Sequence, residues 1–332
     1  MEPPSATSTA SPIRDEGNLK PRLIIGILIL ACLLLPLLVE QPYYLYLINL
    51  TGIHAILILG LNLLVGFTGM VSLGHAGFFA IGAYLSTKIV MNLHLPWILG
   101  LLGGGTGALV GGLILGIPTN RMKDLTLSLV TLGFGISIYR VLMSWTSFTG
   151  GAIGITDVPP ASLLGFSFKE AAASFYLIYG ILGILLAVAA SMAHMRVGRA
   201  LLAIREDEVA ASAMGINTRY YRIMAFAMSA FYCGCAGSLF AHYIGFVSPD
   251  SFTFHHSITF VSMVVVGGMG SVAGSFLGAA GLTLILEYFR TFSQYQLVLY
   301  GLSVILFVVF LPNGLAGLAE GIERRVSKLF QK

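Results

Sequence analysis

The residues of this 332-residue chain that could do chemistry are few, and they fall in three places. The first is GLNLLVGFTGMVSLGHAG, Gly60–Gly77, where Asn62, Gly66, Thr68, Gly69, Ser72, Gly74 and His75 interrupt two apolar runs at their junction. The second is VGGMGSVAG, Val266–Gly274, which carries Gly267 and Gly270. Both contain V-G-x-x-G-x-V, at Val65–Val71 and Val266–Val272, which hints at an internal repeat. Irregular backbone at membrane depth survives only where protein or a water-filled cavity covers it. Amides and carbonyls freed there bind or guide a polar solute. An ordinary tight turn on the cytosolic side is the competing reading of the first stretch.

The third place is a polar loop, RVGRALLAIREDEVAASAMGIN, Arg196–Asn217. Its Ala, Leu and Glu content favours helix, and Gly215 followed by Asn217 reads as a stop. Leu201, Leu202, Ile204, Val209 and Ala213 would make one apolar face. Such a helix lies on the membrane or docks a partner.

Other chemistries lack their residues. No lysine follows a glycine, so there is no G-x-x-x-x-G-K-[ST] phosphate loop. There is no G-x-S-x-G, no H-E-x-x-H and no carboxylate pair at membrane depth. His54, His75 and His242 lie in or near apolar runs without metal-ligand spacing, and read as helix-packing hydrogen-bonders. No metal site and no cofactor is expected in the chain. The basic residues sit singly or in pairs beside apolar runs, which excludes a nucleic-acid face.

The elements that must position these groups follow from composition. Hydrophobic residues make up 57% of the chain and charged residues 10%, against about a quarter charged in soluble domains. That balance suits a chain whose solvent is lipid. Apolar runs of spanning length fall at 23–39, 45–65, 72–91, 96–117, 125–143, 173–193, 223–245, 255–269, 271–290 and 296–315. The expected fold is all-α and polytopic, about ten transmembrane helices, with 125–143 and 255–269 as candidates for re-entrant segments. Residues 22–320 form the membrane domain, with 194–222 as a cytosolic loop. Residues 1–21 read as a disordered cytosolic tail and 321–332 as a basic one. The run Leu23–Val39 reads as an uncleaved first helix, because Leu30 fits a lipoprotein cleavage site poorly.

With both termini inside, fourteen basic residues fall on the internal side, including Arg121, Arg196, Arg199, Arg205, Arg219 and Arg222. Only Lys88, Arg140, Lys169 and Arg290 fall outside. The positive-inside rule asks for this asymmetry. No Asp, Glu, Lys or Arg lies at mid-span, which argues against a proton-coupled carrier but permits a passive channel. Gly100, Gly104, Gly107 and Gly111, with Gly103 between them, form small-xxx-small spacings, as do Gly270, Gly274 and Gly278. They point to close helix packing within the chain, or to an interface with a second membrane subunit. Cys32, Cys233 and Cys235 sit in apolar runs, an odd intramembrane set suited to packing.

Three runs carry a resemblance. GLNLLVGFTGMVSLGHAGFFAIGAYL (Gly60–Leu85), GRALLAIREDEVAASAMGIN (Gly198–Asn217) and VVVGGMGSVAGSFLGAA (Val264–Ala280) resemble the branched-chain amino acid ABC permeases of the LivM type. The resemblance covers nearly all of the chain from about residue 40. It implies a fold like that of type II ABC importers and import of Leu, Ile and Val across a bacterial inner membrane. It also implies a second homologous permease subunit, two cytosolic ATPase subunits carrying the ATP and Mg, and an extracytoplasmic binding protein. Glu208, Ala210, Ala211 and Gly215 look like a reduced E-A-A-then-Gly loop, with Val209 separating the glutamate from the alanines. With Arg199 and Arg205 they would form the ATPase-docking loop, and the first and third runs would line the path. Urea, amide or sugar permeases of the same fold are the alternative within the family.

Overall fold

A computed structural model describes residues 34–318, apart from 37, 40, 123, 164 and 313. The two tails and most of the expected 23–39 span lie outside the described residues. Residues 34–36 and 38 are helical and belong to a separate unit, and the main unit starts at Pro42.

The first helix of the main unit, α1 (Pro42–Thr68), is apolar all round, and such a helix must be buried. It is the axis of the bundle, with 89% of its most apolar window buried. After it come α2 (His75–Leu93), α3 (Trp97–Thr119) and α4 (Asp124–Ser144). On the far end of the bundle lie the one-turn α5 (Thr146–Thr149) and a two-stranded antiparallel hairpin, β1 (Ser162–Leu163) and β2 (Phe166–Ser167). The helix α6 (Ala171–His194) returns to the polar loop, which holds α7 (Arg196–Glu206) and α8 (Glu208–Ala213). The chain ends with α9 (Thr218–Ile244), α10 (Phe254–Gly267), α11 (Val272–Arg290) and α12 (Gln296–Phe310).

Seven of these helices have the length and apolarity to cross a membrane; α10 and α12 are shorter apolar helices. The two segments the sequence leaves open now differ. With 21 residues α4 rises about 31 Å, enough for a hydrocarbon core of about 30 Å. With 14 residues α10 rises about 21 Å and falls short. The helices α4 and α6 have only 17% and 22% of their windows buried, so they form the rim.

The helices α2, α3 and α9 meet at glycines. A Cβ at Gly82 would overlap the backbone of Gly234, and one at Gly234 would crowd Gly104 and Ala108. The small-residue spacing is therefore spent on packing inside this chain. Cys233 and Cys235 are buried free thiols in the same region. The three intramembrane histidines all bridge helices: His54 to Thr283, His75 to Ser229 and His242 to Ser86.

Candidate coupling and translocation site

The helix α1 stops where Thr68 turns its hydroxyl back to Leu64 O and Gly69 takes φ +76°. A left-handed residue is nearly free only for glycine. The chain does not turn tightly there. Residues 70–74 run back along α4, where Ser128 donates to Val71 O (2.9 Å) and Leu73 N–H donates to Thr131 Oγ1 (3.0 Å). Ala76 N–H donates to Ser257 Oγ at 3.1 Å. Val71 O, Leu73 N–H and Ala76 N–H are thus satisfied by side chains, as apolar surroundings require. The His75 ring sits 2.7 Å from Ser229 Oγ, and Ser229 is eleven residues into α9, about 16 Å along it. So α2 begins part-way across the bundle, and the tight-turn reading gives way to a broken pair of helices.

The second glycine stretch joins α10 to α11 through Gly268 (φ +115°) and Gly270 (φ +83°), and Ser271 caps α11 by accepting from Gly274 N–H. A Cβ at Gly267 would overlap Gly274 O, so this hairpin is closed at its base. The two V-G-x-x-G-x-V stretches lie against each other. Asn62 Nδ2 donates to Ser271 O and to Ser275 Oγ, both at 2.8 Å, and Gly270 N–H donates to Asn62 Oδ1 at 2.9 Å. Both donors of the carboxamide are used, and its oxygen is held. A Cβ at Gly66 would overlap Gly270 N and Asn62 Oδ1. Asn62, Gly66 and Gly270 therefore form a seam between the two halves. Gly69, Ser72, Gly74 and His75 follow the extended segment away from it.

The polar loop departs from the single helix expected. Asp207 leaves helical geometry and caps a second helix, accepting from Val209 N–H and Ala210 N–H. The short polar side chain at Asp207 competes with the backbone ladder and breaks it. The apolar face is rearranged too. Leu201, Ile204 and Ala211 are buried, whereas Val209 is 80% exposed and Ala213 and Leu202 are also exposed. Gly215 (φ +83°) ends α8, and Asn217 does not stop a helix but caps the next, accepting from Tyr220 N–H.

Two arginines tie this loop to the glycine stretches. Arg205 donates to Gly66 O at the end of α1, and its chain lies beside Gly69 and Gly270. Arg222, at the start of α9, has a side chain only 7% exposed. It pairs with Glu208 at 2.6 Å, donates to Met122 O at 3.2 Å, and directs Nε at Met70 Sδ at 3.1 Å. Of the expected docking set, Arg205 and Glu208 thus face the bundle, and Ala211 is buried. Among the described residues Arg199 reaches only His194 O, and Ala210 and Gly215 stay at the surface beside exposed Met214. Sequence reasoning missed Arg222, Ser128, Thr131, Ser271 and Ser275. Arg222 looks like any other basic residue flanking a span, and the serines and threonine look like any other small polar residues in apolar helices. Among the described residues no group of three His, Cys, Asp or Glu could hold a metal ion.

A helical membrane bundle with two broken helix pairs, sealed by an asparagine and wired to a polar loop, is the architecture of a polytopic permease. The family described as branched-chain amino acid transport system / permease component matches residues 43–311, and the chain belongs to it. It is 35% identical over 327 residues to the high-affinity branched-chain amino acid transport system permease protein LivM of Escherichia coli (strain K12), covering 92% of this chain and 77% of that one. The LivH permease protein of the same system and strain is 26% identical over 297 residues, covering 82% and 94%. The autoinducer 2 import system permease protein LsrC of Klebsiella pneumoniae is 30% identical over 190 residues, 55% and 52% of the two chains. No solved structure matches.

Proposed function

We propose that this chain is one of two membrane subunits of an ATP-driven importer for leucine, isoleucine and valine, with the 196–217 loop as the place where ATP hydrolysis in partner chains moves the helices. Family membership and similarity to LivM over nearly the whole chain support the substrate class over urea or amides. Similarity to both LivM and LivH supports a pair of unlike permease subunits. Two cytosolic ATPases and an extracytoplasmic binding protein complete the assembly. The arginine-rich loop supports a cytosolic location for its side of the bundle in a bacterial inner membrane, with both termini on that side.

The observation that carries the mechanism is the pair of arginine links. An ATPase pushing on exposed Val209, Ala210 and Met214 moves α8. Glu208 passes that displacement to Arg222, which touches both Met70 in the extended segment and Met122 after α3. The helix α7 moves with it, and Arg205 pulls on Gly66 O beside the seam. Gly66 and Gly270 then part, and the translocation path opens between the two glycine stretches. Thr68, Gly69, Ser72, Gly74, His75 and Gly267 act as its hinge and lining.

The test is Glu208→Gln in the complete transporter, reconstituted in vesicles. Glu208 is 45% exposed, so solvent screens the pair and its loss costs about 1 kcal/mol of stability. The complex should assemble and hydrolyse ATP, while leucine uptake per ATP falls at least about tenfold, the equivalent of 1.4 kcal/mol. Unchanged uptake per ATP would remove the loop from the coupling path.

A further inference from the structure

On the end of the bundle opposite the loop, α1, α2, α9, α10, α11 and α12, with the turn at Ser251, line a half-open cavity of about 410 Å³. Small-molecule sites run from about 300 to 1,000 Å³. Its apolar wall is a cluster of rings, with Phe79 5.3 Å from Phe240 and 5.8 Å from Phe260. Tyr46, Ser251, His255 and Thr259 belong to its polar lining, as do three ring and amide groups, His54, His256 and Gln296. Each of these three is held by one atom and keeps another. His54 Nδ1 meets Thr283 Oγ1 at 2.9 Å, His256 Nδ1 meets Thr253 Oγ1 at 3.0 Å, and Gln296 Nε2 donates to Leu286 O at 3.0 Å. Both Nε2 atoms and the Gln296 Oε1 have no partner among the described residues. When Nδ1 accepts from the threonine, Nε2 carries the hydrogen and donates. No Asp, Glu, Lys or Arg lines the cavity among the described residues.

Depth fits a stage in transport. His54 is twelve residues before Gly66, about 18 Å along α1, so the cavity lies above the closed seam. A site that must release its cargo needs contacts that are favourable but weak. Neutral donors and an acceptor satisfy that; a buried ion pair would not.

We infer that this cavity is a transit site for a zwitterionic amino acid, its branched apolar side chain on the Phe79–Phe240–Phe260 wall and its carboxylate and ammonium on His54, His256 and Gln296. The inference rests on the amino acid substrate proposed above. Thr259 lines the same cavity one helical turn from His256 and gives the probe. The complete transporter carries Thr259→Cys with Cys32, Cys233 and Cys235 replaced by alanine, and a small charged methanethiosulfonate is added from the binding-protein side. Leucine with its binding protein slows labelling by 1 + [L]/Kd, about threefold at twice the Kd. Labelled transporter loses leucine uptake and keeps ATP hydrolysis. Labelling that leucine leaves unslowed, or labelled transporter that imports at the unlabelled rate, overturns the inference alone. So does modification only by a membrane-soluble maleimide, which would assign the cavity to lipid. No uptake of leucine, isoleucine or valine by the unlabelled natural complex overturns the substrate reading and the inference together. Phe260→Trp in the natural cysteine background is the second variant: filling the cavity lowers leucine uptake at least about tenfold, or 1.4 kcal/mol, and unchanged uptake overturns the site.

Discussion

Replacing Asn62 by alanine should loosen the seam by an amount the geometry sets. Three hydrogen bonds disappear, but their partners fare differently. Ser271 O still accepts from Ser275 N–H at 3.1 Å and from Ser275 Oγ at 3.2 Å, so neither it nor that hydroxyl is orphaned. Gly270 N–H loses Asn62 Oδ1, its acceptor among the described residues, in a position where helix geometry offers no substitute. An orphaned buried donor costs about 1–3 kcal/mol, and each satisfied bond that is merely lost about 0.5–1.5 kcal/mol. The sum is about 2–6 kcal/mol, carried almost wholly by the contact between the two halves. The complex bearing Asn62→Ala should therefore unfold at a temperature several degrees lower, read by the loss of tertiary signal in detergent. It should also leak: leucine efflux without ATP should rise, because the seam opens without the loop being pushed. Asn62→Asp keeps the acceptor for Gly270 N–H but buries a carboxylate and loses both donors, so it should be less stable than the alanine variant. Parental stability together with parental efflux in Asn62→Ala would refute the claim that this carboxamide holds the two halves shut.

The same geometry sets further outcomes. Gly215 sits at φ +83° with open space around it, so only backbone strain opposes a side chain there. Gly215→Val should weaken association with the ATPase and uptake, and Gly215→Asn should retain most of both, because asparagine tolerates the left-handed region; a pull-down of the complex distinguishes them. Gly234→Leu has no such escape, since its Cβ meets the Gly104 carbonyl, the Gly105 backbone and Ala108. That variant should fail to accumulate in the membrane, as measured by immunoblot, because overpacking at a close crossing costs about 1–3 kcal/mol or more.

The membrane class, the approximate spans and the places of interest are legible in the sequence, because hydropathy, glycine and charge act locally along the chain. Gly69 and Gly270 mark real interruptions, since their backbone angles need glycine wherever they fold. The loop reads as one helix through Asp207 because helix propensity is averaged over a window, and in the fold one capping carboxylate outweighs it. Val209 falls on an apparent buried face for the same reason: once the helix breaks, its periodicity restarts, and the side chain points to solvent.

Pairings across the chain are another matter. Asn62 and Gly270 are 208 residues apart, and Arg205 and Gly66 139. Nothing in local pattern says which asparagine meets which amide, or which of several loop arginines turns inward. Nor could it reveal the cavity, whose lining comes from six helices and the turn at Ser251. Sequence alone determined that the chain lives in lipid, where it breaks and which end is basic, because each follows from transfer energies and backbone preferences of neighbouring residues. Tertiary structure decided which broken ends meet, what latches them and where space is left, because those depend on how buried polar groups find partners once distant helices pack.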